Sequence, residues 1–159
     1  MIDRGAVEAF LIHEARLVDE MDYAAWFALW DRDGLYHVPI GTDTASVQGR
    51  QVSIIKDDYL RLEQRVDRLK TGSVLAMAGQ RGAMRRVVSN IEVLDEAPDG
   101  AVEIGSNFIL GIARTGEQQL WIGRTLHRLR PAGASFRIAR KTVLLINSAH
   151  ETPLLQFII

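Results

Sequence analysis

Between Gly5 and Glu20 the apolar residues Val7, Phe10, Leu11, Leu17 and Val18 recur at spacings of three, four and seven. That is the period of a helix with one buried face. Asp22 then stands where its carboxylate can cap a second, short helix, "YAAWFALW", whose Trp26, Phe27, Leu29 and Trp30 are too many large apolar side chains for an exposed element. Asp33-Gly34 reads as the end of that helix. "LYHVPI" reads as a strand stopped by Pro39, with a polar loop after it through Gly49.

"IIKDDYLRLEQRVDRL", Ile54 to Leu69, returns to helical spacing: Ile55, Leu62, Val66 and Leu69 fall on one face, with Tyr59 between. Asp57 and Asp58 suit a helix start, and Arg68 and Lys70 suit its end. Beside the apolar stripe stand Arg61, Arg65 and Arg68. Like charges one turn apart oppose a helix by a few tenths of a kcal/mol, so this row calls for solvent or for carboxylates facing it.

Residues Thr71 to Arg86 lack a period and are expected as an irregular loop with one short strand or turn. Beyond them the period changes to two. "RRVVSNIEVLDEA", "AVEIGSNFILGIAR", "QLWIGRTLHRLR" and "SFRIARKTVLLIN" read as four strands, joined by "PDG", "TGEQ" and "PAGA". Three short turns in succession predict an antiparallel meander. "TPLLQFII" follows, an apolar tail that must be covered by something. The order predicts an α+β fold, with the helices against one face of a curved, mostly antiparallel sheet.

At 159 residues, 47% hydrophobic and 25% charged, the chain is expected to form a single domain over residues 1–159. It has no cysteine, which removes disulfides, thiolate nucleophiles and cysteine-ligated metal centres from consideration. The first residues carry acids inside their apolar pattern and no basic leader, and no run approaches the ~18 apolar residues of a membrane span. A cytoplasmic location is expected. Residues 1–60 hold 11 acids and 5 bases, whereas residues 61–159 hold 9 acids and 14 bases. Without aromatics interleaved among those bases, nucleic acid is not the expected partner, and pairing within the chain or between subunits is.

The histidines His13, His37, His127 and His150 form no metal-ligand motif. Gly79 and Gly82 lack the flanking strand and helix of a phosphate cradle, and no serine sits in a nucleophile elbow. What the residues leave open is acid–base chemistry inside a cone-shaped sheet, with Asp19, His37 and His127 as candidates. The plainer reading of each is structural: Asp19 pairs with an arginine of the sheet, and His127 points outward.

"FLIHEARLVDEMDYAAWFALWDRDGLYHVPI", "SIIKDDYLRLEQRVDRL", "RRVVSNIEV" and "FRIARKTVLLIN", in this order and at these distances, resemble the small (beta) subunit of aromatic-ring-hydroxylating dioxygenases. The resemblance implies a nuclear transport factor 2-like, cystatin-like cone, a fold shared with scytalone dehydratase and polyketide-cyclase-like proteins. It also implies a chain with no cofactor of its own. The Rieske iron–sulfur cluster and the non-haem iron are then expected in a large alpha subunit, the partner with which such chains commonly form an alpha3beta3 hexamer, the beta chains also tending to a homotrimer. Arg61, Arg65 and Arg68 would belong to the family's charged helix, holding salt bridges inside the fold or at a subunit boundary. The chain departs from the family pattern in "AGQRGAMRR" before "SN" and in Ile146-Asn147 after the final "LL".

Two functions follow. The first is a structural subunit with no catalytic residue; the alternative is a stand-alone dehydratase, isomerase or cyclase using Asp19, His37 or His127. An open cavity with Asp19 and His127 in hydrogen-bond reach would favour the enzyme. An interior filled by Trp26, Phe108 and Trp121 would exclude it.

Overall fold

The computed structural model describes residues 2–41, 52–71, 82–114, 116–148 and 157–159. Helix α1 runs Arg4–Asp19, with Asp3 accepting from the Gly5 N–H at 2.9 Å. It buries Val7, Phe10, Leu11, Leu17 and Val18, the predicted stripe, together with Ala15 and the charged Glu14. Helix α2, Tyr23–Phe27, is capped by Asp22, which accepts from the Ala25 N–H at 3.1 Å.

Two boundaries differ from the sequence reading. Strand β1, Trp30–Pro39, begins before Asp33-Gly34, so that dipeptide does not end a helix. It lies where the register with a neighbouring strand slips, between Trp30 and Leu35, and a Cβ on Gly34 would meet the Trp30 ring at 2.8 Å. Residues that make turns also make bulges, and here the bulge prevails. The predicted helix from Ile54 likewise starts late: Ser53–Asp57 is strand β2, and helix α3 spans Tyr59–Thr71. β-Branched Ile54 and Ile55 suit an extended chain, and β2 pairs with β1 through Val38–Ile55 and Tyr36–Asp57. Asp58 then starts the helix, accepting from the Arg61 N–H at 2.9 Å.

The four period-two runs are strands β3 (Ala83–Glu96), β4 (Val102–Arg114), β5 (Glu117–Ala132) and β6 (Ser135–Leu145), paired antiparallel in succession as predicted. Gly100 and Gly133 supply the positive φ, 80° and 63°, that two of their turns require. The sheet order is β2-β1-β6-β5-β4-β3, with β1 parallel to β6 and every other pair antiparallel. The polar loop after Gly41, most of Thr71–Arg86, and Gly79, His150 and Thr152 to Gln156 lie outside the described residues.

One face of this α+β sheet holds the core. Alternate residues of the long strands, Ile104, Phe108 and Leu110 on β4, Trp121 and Leu129 on β5, Val143 and Leu145 on β6, are buried in one cluster with the apolar faces of α1, α2 and α3. Trp26, Trp30 and Tyr36 meet edge to face with centroids 5.4 to 6.2 Å apart. Phe157, Ile158 and Ile159, the end of the apolar tail, are buried in the same cluster, and Phe157 packs edge-on against Trp121 at 5.5 Å.

Candidate functional site

Inside the cone the most charged position is Glu14. It shares the α1 face of Val7, Leu11 and Val18, so the helix period that builds the core carries a carboxylate into it. Its Oε1 accepts from the Trp26 indole N–H at 2.8 Å and from Lys141 Nζ at 2.6 Å, and its Oε2 lies 3.6 Å from His127 Nε2. Lys141 and His127 occupy inward positions of β6 and β5, and all three residues are buried.

Burial alone would raise the Glu14 pKa, but Lys141 and His127 overcome it and hold the carboxyl well below its ordinary value. Burial pulls His127 below its ordinary value against the attraction of Glu14. Burial also lowers Lys141, which taken alone would favour a neutral amine. The 2.6 Å contact, on an oxygen that also receives an indole N–H, is the geometry of a charged pair, and we read it so.

The space left among the described residues Glu14, Ser106, Phe108, Thr125, His127 and Lys141 is about 20 Å³, room for one water. Trp26, Phe108 and Trp121 are all buried in the core cluster. A buried ion pair of this kind neutralises the charge that burial would otherwise penalise.

The candidates named from sequence do not converge. Asp19, at the end of α1, accepts from Arg86 twice: from its backbone N–H at 2.9 Å and its Nε at 2.8 Å. It lies in an open groove of about 320 Å³ between α1 and β3. His127 points inward, contrary to the outward alternation considered above, and meets Glu14 instead of Asp19. His37 sits on the strand face opposite Tyr36 and Val38, its Nε2 2.8 Å from Ser53 Oγ, with burial and then Lys56 and Arg140 lowering its pKa. No hydrogen bond or ion pair joins any two of these three.

In the arginine row, Arg65 lies half-buried against Asp57 with Nε–Oδ2 at 2.5 Å, while Arg61 and Arg68 are exposed and make no ion pair among the described residues. The charge asymmetry of the sequence has a matching explanation. Asp19 and Glu14 pair with Arg86 and Lys141, and Asp31 and Asp33 with Arg130 and Arg137, so early acids are answered by bases of the sheet.

Sequence reading missed Glu14 and Lys141. A signal existed for both: Glu14 interrupts the apolar face of α1, and Lys141 falls in step with Val143 and Leu145 in a period-two run. A charge on a buried face is informative in a way that a lone histidine is not.

The architecture, helices within an open, largely antiparallel sheet, is that of cone-shaped proteins. An NTF2-like protein with a cystatin-like fold from Novosphingobium aromaticivorans superposes with a TM-score of 0.60 at 16% identity, covering 91% of this chain and 82% of that one. The beta subunit of benzoate 1,2-dioxygenase from Burkholderia mallei superposes more fully, with a TM-score of 0.79 at 23% identity over 99% of both chains. In sequence, the small oxygenase component of the p-cumate 2,3-dioxygenase system of Pseudomonas putida is 34% identical over 91% of this chain and 79% of its own. The anthranilate 1,2-dioxygenase small subunit of Acinetobacter baylyi is 32% identical over 94% of this chain and 93% of its own. The family profile described as ring hydroxylating beta subunit matches residues 13–151. The chain belongs to the ring hydroxylating beta subunit family.

The Rieske cluster that the family implies does not fit this chain. A Rieske cluster needs two cysteines, and the sequence has none. Among the described residues no group of three histidine or carboxylate side chains could hold a metal ion. No helix among them is long and apolar enough to cross a membrane.

Proposed function

We propose that this chain is the non-catalytic structural subunit of an aromatic-ring-hydroxylating dioxygenase, a single domain over residues 1–159 that works in the cytoplasm. Its partner is a large alpha subunit, which carries the Rieske cluster and the non-haem iron and performs the oxygenation. Its assembly is a trimer of beta chains within an alpha3beta3 hexamer. The observation that carries this reading is the family match over residues 13–151.

The outer face of the sheet supports it. Val87, Ile109 and Ile122 lie opposite one another on three adjacent strands and are 63%, 47% and 37% exposed. Leu120 and Ile146 extend the row, and the Ile146 N–H bonds to the Ile122 carbonyl. A contiguous apolar row on an open sheet face is surface that an assembly covers.

Co-expression with a Rieske-containing alpha chain, followed by size-exclusion chromatography with light scattering and an iron assay, tests the proposal. A stable complex whose iron partitions with the alpha chain is expected. A beta chain that stays apart from every alpha chain offered, at any ratio, would sink it.

A further inference from the structure

The end of the chain is held in an unusual way. Tyr36 meets the Ile159 backbone twice: its Oη donates to the backbone oxygen and accepts from the N–H, both at 3.1 Å. The Ile158 carbonyl accepts from Arg86 Nη2 at 3.2 Å. Phe157 rests edge-on against Trp121, and all three tail residues are buried. Residues 157–159 belong to none of the six strands.

A segment that is part of a sheet has its backbone satisfied by a neighbouring backbone. An extended segment seated outside a sheet has it satisfied by side chains instead. The Ile159 N–H and oxygen and the Ile158 carbonyl are satisfied in that second way, by Tyr36 and Arg86. The seat is also prepared from behind, since Asp19 fixes the Arg86 guanidinium at Nε and leaves Nη2 for Ile158.

We propose that the buried seat lined by Tyr36, Arg86 and Trp121 is a binding site for an extended apolar peptide, occupied in cis by Phe157–Ile159. Asp19 is a positioning residue of that site. The site is separable from the segment that fills it, and its affinity belongs to the cone. This goes beyond the subunit reading and does not depend on which assembly the chain enters.

In the intact chain the tethered segment excludes a free competitor, because tethering supplies an effective concentration in the millimolar range. The test therefore weakens the tether's own anchor in the full-length chain with Phe157→Ala, and adds a synthetic peptide of the last six residues, LLQFII. Thermal unfolding is followed with and without peptide.

The expected result is a lowered Tm for the variant, raised in a dose-dependent manner by the native peptide. LLQAII should have no effect, and neither peptide should move the parent chain. A folded variant whose Tm ignores the native peptide, or responds equally to both, would overturn the proposal.

Tyr36→Phe provides a second reading that survives a Phe157→Ala chain that fails to fold. It keeps the ring and removes the hydroxyl, so hydrogen exchange at the Ile159 amide should accelerate about tenfold or more, with the Leu62 amide of α3 unchanged. Unchanged exchange at Ile159 would show that the hydroxyl does not seat the tail.

Discussion

Asp19 Oδ1 and Oδ2 are both engaged by Arg86, one by its side chain and one by its backbone N–H. The two side chains are 7% and 5% exposed. The position that resembles an acid–base aspartate is thus a clamp between α1 and β3. Removing one partner of a buried pair leaves the other charge uncompensated, at about 3 kcal/mol or more. Asp19→Asn also turns an amide N–H₂ toward a donor. The expected loss of Tm is roughly 6–12 °C for a chain of this size. Scanning calorimetry measures it, and a loss below about 2 °C would show the clamp to be dispensable.

The arginine row should divide. Arg65 is half-buried on Asp57 and ties α3 to β2, whereas Arg61 and Arg68 project outward. Arg65→Ala should lower stability by about 1–2 kcal/mol, between the values for exposed and buried pairs. Arg61→Ala and Arg68→Ala should each stay within about 0.5 kcal/mol. Urea unfolding of the three isolated variants measures this. Equal effects at all three positions would contradict the division.

Much of the fold was legible because period and turn chemistry agreed. The meander from Ala83 to Leu145 follows from alternation and three turn sequences, and α1 from its stripe. Errors fell where one signal had two uses. Ile55 satisfies the helical spacing of Leu62 and Val66, yet it pairs with Val38 in a strand, since a single apolar residue carries no period of its own. The parallel pairing of β1 with β6 joins residues about 100 positions apart, and no local pattern encodes it. At the site, Asp19 and His127 were noticed for their chemistry, while Glu14 and Lys141 were hidden among apolar neighbours.

The corrected start of α3 makes a prediction of its own. Asp58 lies between the last residue of β2 and the first of α3, accepting from the Arg61 N–H. With no cap, that amide and its neighbours are left to solvent. Asp58→Ala should cost about 1 kcal/mol and Asp58→Ser considerably less, since serine also accepts at an N-cap. If the helix began at Ile54 instead, Asp58 would be interior and alanine would be neutral or favourable. Chemical denaturation of the two variants distinguishes these starts.

The buried cluster sets how stability should respond to pH. Burial lowers the His127 pKa below 6.5, so as pH falls past 6.5 the unfolded chain takes up a proton that the folded chain refuses. Stability is then fully present above 6.5 and declines on acidification until the folded pKa is reached, by at most about 1.4 kcal/mol per pH unit from this group. His37, also lowered by burial, acts in the same direction. Glu14 has the opposite chemistry and the same sign: its folded pKa lies well below 4.5, so its contribution is present above 4.5 and is lost as pH falls toward the folded value. Urea midpoints measured from pH 8 to pH 4 should hold steady, then fall from about 6.5, then fall again below about 4.5. His127→Asn should flatten the first decline and leave the second. The competing force is Glu14, 3.6 Å from His127 Nε2, which favours the protonated ring. Were that attraction to outweigh burial, stability would rise on acidification through 6.5 and His127→Asn would abolish the rise, reversing the assignment of a neutral histidine in the cone.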